Sequence, residues 1–254
     1  MTVRELYAEF THIIPAELSE EWDNDGLMCS ADTSGEVHRA LLVLDVTEEI
    51  VDYAIEQCFD LIVSHHPLIF RPIASVTEDD HTARKVIKLI ENGISVFSFH
   101  TRADKLLGGV NDRLADIIGM REVESFGEGD LGRIGYIDEP MELQDFAYRV
   151  KQLCGSDVVR YADGFGDVHK VALVGGDGKG YVRAAIEAGA DTYISGRIGY
   201  NVMEEAAEMG INLIEAGHYF TEQHICEFFR ERLMDFDPNL YVEISDSNMI
   251  RTIS

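Results

Sequence analysis

Short runs of β-forming residues alternate with helix-patterned segments along this chain, and that alternation restricts the fold more than any other feature. Leu41-Leu-Val-Leu-Asp-Val46 reads as a buried strand, Thr47 as an N-cap with Glu49 and Ile50 opening a helix, and Leu61-Ile-Val-Ser64 as the next strand. A second such unit follows. Residues 82–91 are helical, Gly93 stops the helix, and Ile94-Ser-Val-Phe-Ser-Phe99 alternates into a strand. Further on come a helix over 143–153, a strand at 171–174, a helix over 181–188, a strand at 192–194, a helix over 202–208 and a strand at 211–214. Intervening crossover helices predict mostly parallel pairing, so the fold class is α/β.

The 254 residues, 46% of them hydrophobic, suffice for one large or two small α/β domains without covalent staples. The start is an amphipathic helix with Leu6, Phe10, Ile13 and Ile14 on one face, ending near Pro15, and a loop with the sole tryptophan, Trp22, comes next. Gly108-Gly109 turns the chain into a helix begun by Asn111-Asp112. A boundary is placed within the Gly/Glu/Asp-rich stretch 121–140, giving one lobe of residues 1–124 plus 217–254 and a second of residues 125–216. Four scattered cysteines form no C-x-x-C pair and read as reduced, buried residues. Neither a signal peptide nor a membrane span is recognisable, so a cytoplasmic protein without membrane partners is expected. With 47 acidic and 21 basic residues, a formal net charge of -26 argues against affinity gained by neutralising nucleic-acid phosphates. Acidic groups spread over solvated faces, for solubility or a salty cytoplasm, account for it; a basic partner is the alternative.

The chemistry gathers where strands end. His65 and His66 follow Leu61-Ile-Val-Ser64, and His100 and Asp104 follow the strand after it. Successive residues of a strand face opposite sides, so the two histidines converge only if the chain turns at Pro67. Near the C-terminus His218 and Glu222 lie one helical turn apart and share a stripe with Ile225, Phe229 and Leu233 on the final helix. A His-His pair alone is more often structural. Three imidazoles with two carboxylates, and no thiolate, suit divalent zinc, iron, manganese, cobalt or nickel. Five ligands also suit two ions, and two dications against two carboxylates leave a positive site that favours hydrolytic chemistry on an anionic substrate. Gly175-Gly176-Asp177-Gly178-Lys179-Gly180 lacks the Lys-Ser/Thr ending of a P-loop and reads as a tight turn rather than an anion nest. His12, His38, His81, His169 and His224 have no partners at metal spacing.

Motifs spread over nearly the whole length carry a resemblance. They are Glu21-Trp-Asp-Asn24 with Gly26-Leu27, Ser64-His-His-Pro-Leu-Ile-Phe70, His100-Thr101 with Asp104, and Gly108-Gly-Val-Asn-Asp112. Gly132-Arg-Ile-Gly135, Gly175-Gly176 and Glu215-Ala-Gly-His-Tyr219 with Thr221-Glu222 continue them. In these the chain resembles the NIF-three-like family, also described as dinuclear-metal-centre hexameric proteins and as GTP cyclohydrolase I type 2-like. The resemblance implies two α/β lobes with a dinuclear metal site in the cleft between them, assembled as a toroidal homohexamer. It implies His65, His66, Asp104, His218 and Glu222 as ligands of two divalent ions per chain, with His66 and Asp104 on one ion, His65 and His218 on the other, and Glu222 bridging. His100 then faces the substrate or orients the ligands. The chain departs from the family at Arg197 and Asn201, where an acidic residue and a histidine are usual.

A metal-dependent hydrolase of the GTP cyclohydrolase type, acting on a small anionic or nucleotide substrate, is therefore expected. A phosphoesterase at the same site, and a non-catalytic metal-binding or adaptor protein assembled as a ring, are the alternatives.

Overall fold

A capping box fixes the first helix, α1 (Val3–Ile13): the Glu5 amide donates to Thr2 Oγ1 at 3.3 Å and the Thr2 amide donates to Glu5 Oε2 at 2.8 Å. Strands β1 (Gly26–Cys29) and β2 (Arg39–Val43) follow, then α2 (Glu48–Glu56), where Thr47 Oγ1 accepts from the Ile50 amide as the sequence predicts. Next come β3 (Leu61–Ser64), α3 (His81–Glu91), β4 (Ser95–Ser98) and the short helix α4 (Thr101–Lys105). The computed structural model describes residues 1–253. It divides into two units, Met1–Leu106 with Ile225–Met249, and Leu107–His224 with residues 250–253. The expected boundary at residue 124 instead falls inside a strand of the second unit, because the Gly/Glu/Asp-rich stretch is a hairpin rather than a linker.

That hairpin pairs β5 (Arg121–Phe126) antiparallel with β6 (Gly132–Met141), after α5 (Val110–Ile118). The second unit continues with α6 (Leu143–Cys154), β7 (Arg160–Ala162), β8 (Val168–Asp177), α7 (Val182–Glu187), β9 (Thr192–Arg197), α8 (Tyr200–Glu208), β10 (Asn212–Glu215) and α9 (His218–Glu222). Its six-stranded sheet runs β5-β6-β8-β9-β10-β7. Only β8-β9 and β9-β10 are parallel; β5-β6, β6-β8 and β10-β7 are antiparallel, so the sheet is mixed where mostly parallel pairing was expected. A hairpin needs no crossover helix, and this one adds two strands on one side of β8. Its inner strands β8, β9 and β10 are buried on both faces. Val171, Leu173, Ile194 and Ile214 join one core with α5 and α6, while Ala172, Val174, Tyr193 and Leu213 join another with α7 and α8.

The chain returns to the first unit through α10 (Ile225–Phe236) and β11 (Tyr241–Ile244). The five-stranded sheet there has the order β1-β4-β3-β2-β11, parallel except for β1. Leu41, Val43, Ile62 and Val96 pack on one side with α2 and α3. Phe97 and Phe99 pack with Phe10 of α1, and Phe10 and Phe99 each contact Phe229 of α10. The central strands β2, β3 and β4 are buried almost throughout, which holds the residues at their C-terminal ends in place. The expected single final helix is two: α9 ends at Glu222, Gln223 and His224 form a turn, and α10 starts at Ile225. The His218–Glu222 pair and the Ile225, Phe229, Leu233 stripe thus belong to different helices.

Candidate metal centre

The backbone ladder of the first sheet runs on past β3: the His65 amide donates to Val43 O at 3.3 Å and the His66 amide to Leu44 O at 2.9 Å. Two serines shape the turn beyond. Ser64 Oγ donates to His66 O, the Leu68 amide donates to Ser98 Oγ, and the two hydroxyls lie 2.8 Å apart. The turn brings the imidazoles together, with ring centroids 5.0 Å apart for His65 and His66, and 5.3 and 5.7 Å from each to His100. One ring nitrogen of each of the three lies within 4.8 Å of the others, a group that could hold a metal ion.

All three rings are anchored from behind by the same atom. His65 Nδ1 bonds the Phe99 carbonyl at 2.9 Å, His66 Nδ1 the Asp45 carboxylate at 2.8 Å, and His100 Nδ1 the Asp23 carboxylate at 2.9 Å. A carbonyl or carboxylate oxygen can only accept, so Nδ1 carries the proton in each ring and the lone pair of the neutral imidazole is on Nε2. Metal-binding histidines are commonly held in this way, which fixes both tautomer and ring orientation. Asp104, on α4, places Oδ1 3.6 Å from His65 Nε2.

Asp23 and Asp45 were not singled out from the sequence. Asp45 had a usable signal, since it leaves strand β2 as the histidines leave β3. Asp23 sits in the Glu-Trp-Asp-Asn motif and is gripped by three donors: His100 Nδ1, the Thr101 amide at 3.1 Å and Thr101 Oγ1 at 2.6 Å. Burial pushes its pKa up, but the hydrogen bonds from His100 and Thr101 outweigh burial and hold it well below the usual carboxylate range. For His100 burial disfavours the charged ring, but the Asp23 bond and the charge of Asp104 prevail and its pKa is raised. Behind them Arg102, 1% exposed, makes a two-pronged ion pair with Asp25, with Nε and one terminal nitrogen each 3.0 Å from a carboxylate oxygen. This pair ties the motif loop to the first turn of α4.

The second unit presents the other two candidates. His218 Nε2 and Glu222 Oε2 are 3.0 Å apart on α9, with Glu222 buried. The glycines read as a tight turn are a cradle for this helix. Gly175 and Gly176 lie within β8, at an irregularity of its pairing with β9. A Cβ on Gly176, whose φ is +61°, would collide with Glu222 Oε1 and stand 2.9 Å from Glu222 Cδ and 3.2 Å from His218 Nε2. A Cβ on Gly196 in β9 would lie 2.7 Å from His218 Cα. The bare backbone is what admits the carboxylate. Asn111 fixes the same stretch, accepting from the Gly175 amide at 2.7 Å while donating to Leu131 O at 3.0 Å.

Within each unit the donor chemistry fits a divalent ion. The donors are imidazole nitrogens and carboxylate oxygens, the imidazoles are pre-oriented, and a cradle is kept open for the glutamate. The departures Arg197 and Asn201 are both exposed; their segment is held instead by Glu215 Oε2, which accepts from the Ile198 and Gly199 amides. His38 pairs with exposed Glu36, and His224 Nε2 bonds the Val110 carbonyl. Among the described residues, no helix is long and apolar enough to cross a membrane.

Known proteins share this arrangement of chain and sequence. A GTP cyclohydrolase 1 type 2 homolog of Clostridium perfringens is 35% identical over 234 residues, covering 87% of this chain and 88% of that protein. Protein NIF3 homolog of Schizosaccharomyces pombe is 31% identical, covering 93% of each chain. The crystal structure of a Staphylococcus aureus hypothetical protein superposes with a TM-score of 0.89 at 26% identity, over 100% of this chain and 99% of that one. The family described as Duf34/NIF3 (NGG1p interacting factor 3) matches residues 1–252, and the chain belongs to it.

Proposed function

We propose that this protein is a divalent-metal-dependent hydrolase of the GTP cyclohydrolase type, with His65, His66, Asp104, His218 and Glu222 holding two ions and Glu222 bridging them. The observation that carries the reading is the pair of imidazoles, His65 and His66, each fixed through Nδ1 to a carbonyl or carboxylate so that the Nε2 lone pair is left for an ion. The names of the relatives supply the substrate class. Two dications bound there would act as Lewis acids toward water and toward substrate oxygens.

The chain's own groups do the rest. Phe99 O and Asp45 hold His65 and His66 in the ligating tautomer. Asp23 favours the protonated form of His100, which keeps one proton on Nδ1 and has a second on Nε2 to donate to an anionic substrate oxygen or to a leaving group. The cradle at Gly176 sets the position of the Glu222 carboxylate. A closed homohexamer in the cytoplasm is proposed as the working state, and light scattering measures it.

Turnover of GTP and of a phosphoester panel by the metallated protein tests the function. Loss of turnover in His66→Ala and Glu222→Ala, reduced turnover with retained metal in His100→Ala, and wild-type turnover in His38→Ala are expected. A fully metallated hexamer that converts neither GTP nor any phosphoester would instead mark a non-catalytic metal-binding protein.

A further inference from the structure

The hydrolytic reading leaves unused the two most conspicuous side chains beside the histidines. Trp22 is 63% exposed and Phe70 is 45% exposed. Their rings meet each other and His100 in a triangle with centroid separations of 6.2 Å for Trp22–Phe70, 6.2 Å for Trp22–His100 and 6.0 Å for Phe70–His100. The interplanar angles are 75°, 78° and 89° in the same order. The three rings therefore touch edge to face and stand nearly perpendicular to one another, like the walls of a corner. A planar guest that stacks on one ring meets the other two edge-on, the two arrangements aromatic quadrupoles prefer.

A packing role would bury these rings, yet both remain in solvent while the backbone beneath them is pinned. Asp23, next to Trp22, is held by His100 and Thr101. Asn24 Nδ2 donates to the carbonyl of Ile69, the residue before Phe70. Asp25 accepts from Ser19 Oγ at 2.9 Å and is clamped by Arg102. Polar anchors thus fix the backbone beneath two exposed aromatic rings, which is how a recognition surface is pre-organised rather than how a loop is capped.

We infer that Trp22 and Phe70, with the ring of His100, form the seat for the planar heterocycle of the substrate, so that the site selects purine nucleotides over sugar phosphates. This rests on the hydrolase reading for the nucleotide class and adds the residues that recognise the base.

Trp22 is the only tryptophan in the chain, so its fluorescence reports the seat directly. The probes are GMP and ribose 5-phosphate, titrated into the metallated protein and again after chelation, with calorimetry for the variants. GMP should quench saturably and bind at least about fivefold more tightly than ribose 5-phosphate, the lower end for one base stacked on one aromatic ring. Trp22→Ala and Phe70→Ala should each remove that preference while metal per chain and ribose 5-phosphate affinity stay unchanged, and Trp22→Phe should keep most of it. Equal affinity for the two probes, absence of saturable quenching by GMP, or an unchanged preference in both alanine variants overturns the inference. A changed oligomeric state in Trp22→Ala with an unchanged preference assigns the rings to contact between copies. If quenching is normal and no ion binds, the base seat stands and the hydrolase reading falls; ion binding without base preference gives the reverse.

Discussion

Gly176→Ala separates the cradle from ordinary backbone strain. At φ +61° an alanine is in the left-handed region, which costs about 1–2 kcal/mol relative to glycine. Its methyl would in addition collide with Glu222 Oε1 and press on Glu222 Cδ at 2.9 Å and His218 Nε2 at 3.2 Å. The carboxylate has to swing away by about 1 Å, the scale on which a supported site becomes a loose one. Displacing groups that orient ligands typically lowers metal affinity about 10–100-fold. Gly210→Ala is the control, since φ there is +88° and nothing lies within 4 Å of the added Cβ. Urea denaturation should give Gly210→Ala a loss of about 1–2 kcal/mol and Gly176→Ala at least as much. Metal titration followed by elemental analysis should show weakened binding in Gly176→Ala alone. Wild-type metal affinity in Gly176→Ala would refute the cradle argument, and so would an equal loss of metal in Gly210→Ala.

Two further outcomes follow from the anchors. Asp25→Ala leaves the buried Arg102 guanidinium without its carboxylate and should destabilise the protein by about 3 kcal/mol, the low end for a broken buried pair because Ile14 O still accepts from Arg102 at 3.2 Å; a loss below about 1 kcal/mol in a denaturant melt would show the pair to be dispensable. For His100 the folded pKa is raised, so its contribution to stability is complete below about pH 6.5 and is lost as pH rises through the shifted value. Asp23, held low, contributes above the ordinary carboxylate range and loses its share only in strong acid. Urea midpoints of metal-free protein at about pH 6 and about pH 8 should therefore differ less in Asp23→Asn than in wild type, and an imidazole NMR titration should show a lower His100 pKa; an unchanged titration contradicts the assignment.

How far the sequence reveals this structure depends on how each element is stabilised. Strand β3 reads directly as Leu61-Ile-Val-Ser64 because burial on both faces demands an unbroken apolar run. The edge strands β1 and β11 do not: each has four residues, β1 carries an irregularity between Leu27 and Cys29, and β11 has no fully buried position. Pairing direction in the second sheet was hidden because Gly- and acid-rich composition looks alike in a linker and in a hairpin. The histidines and Asp104 stand out at strand exits. Their supports do not, since Asp23, Asp45 and Arg102 acquire meaning only through partners about 20 to 80 residues away. Gly175 and Gly176 mislead for a related reason, because a glycine kept for close approach of a distant side chain looks like one kept for a turn.

The central claim is that one carboxylate, Glu222, serves two ions, and metal stoichiometry tests it most directly. Elemental analysis of anaerobically purified, reconstituted protein should give two divalent ions per chain in wild type, about one in His66→Ala and almost none in Glu222→Ala, with folding confirmed for each. Two ions retained by Glu222→Ala, or a wild type that binds fewer than two at saturating metal, would contradict the account.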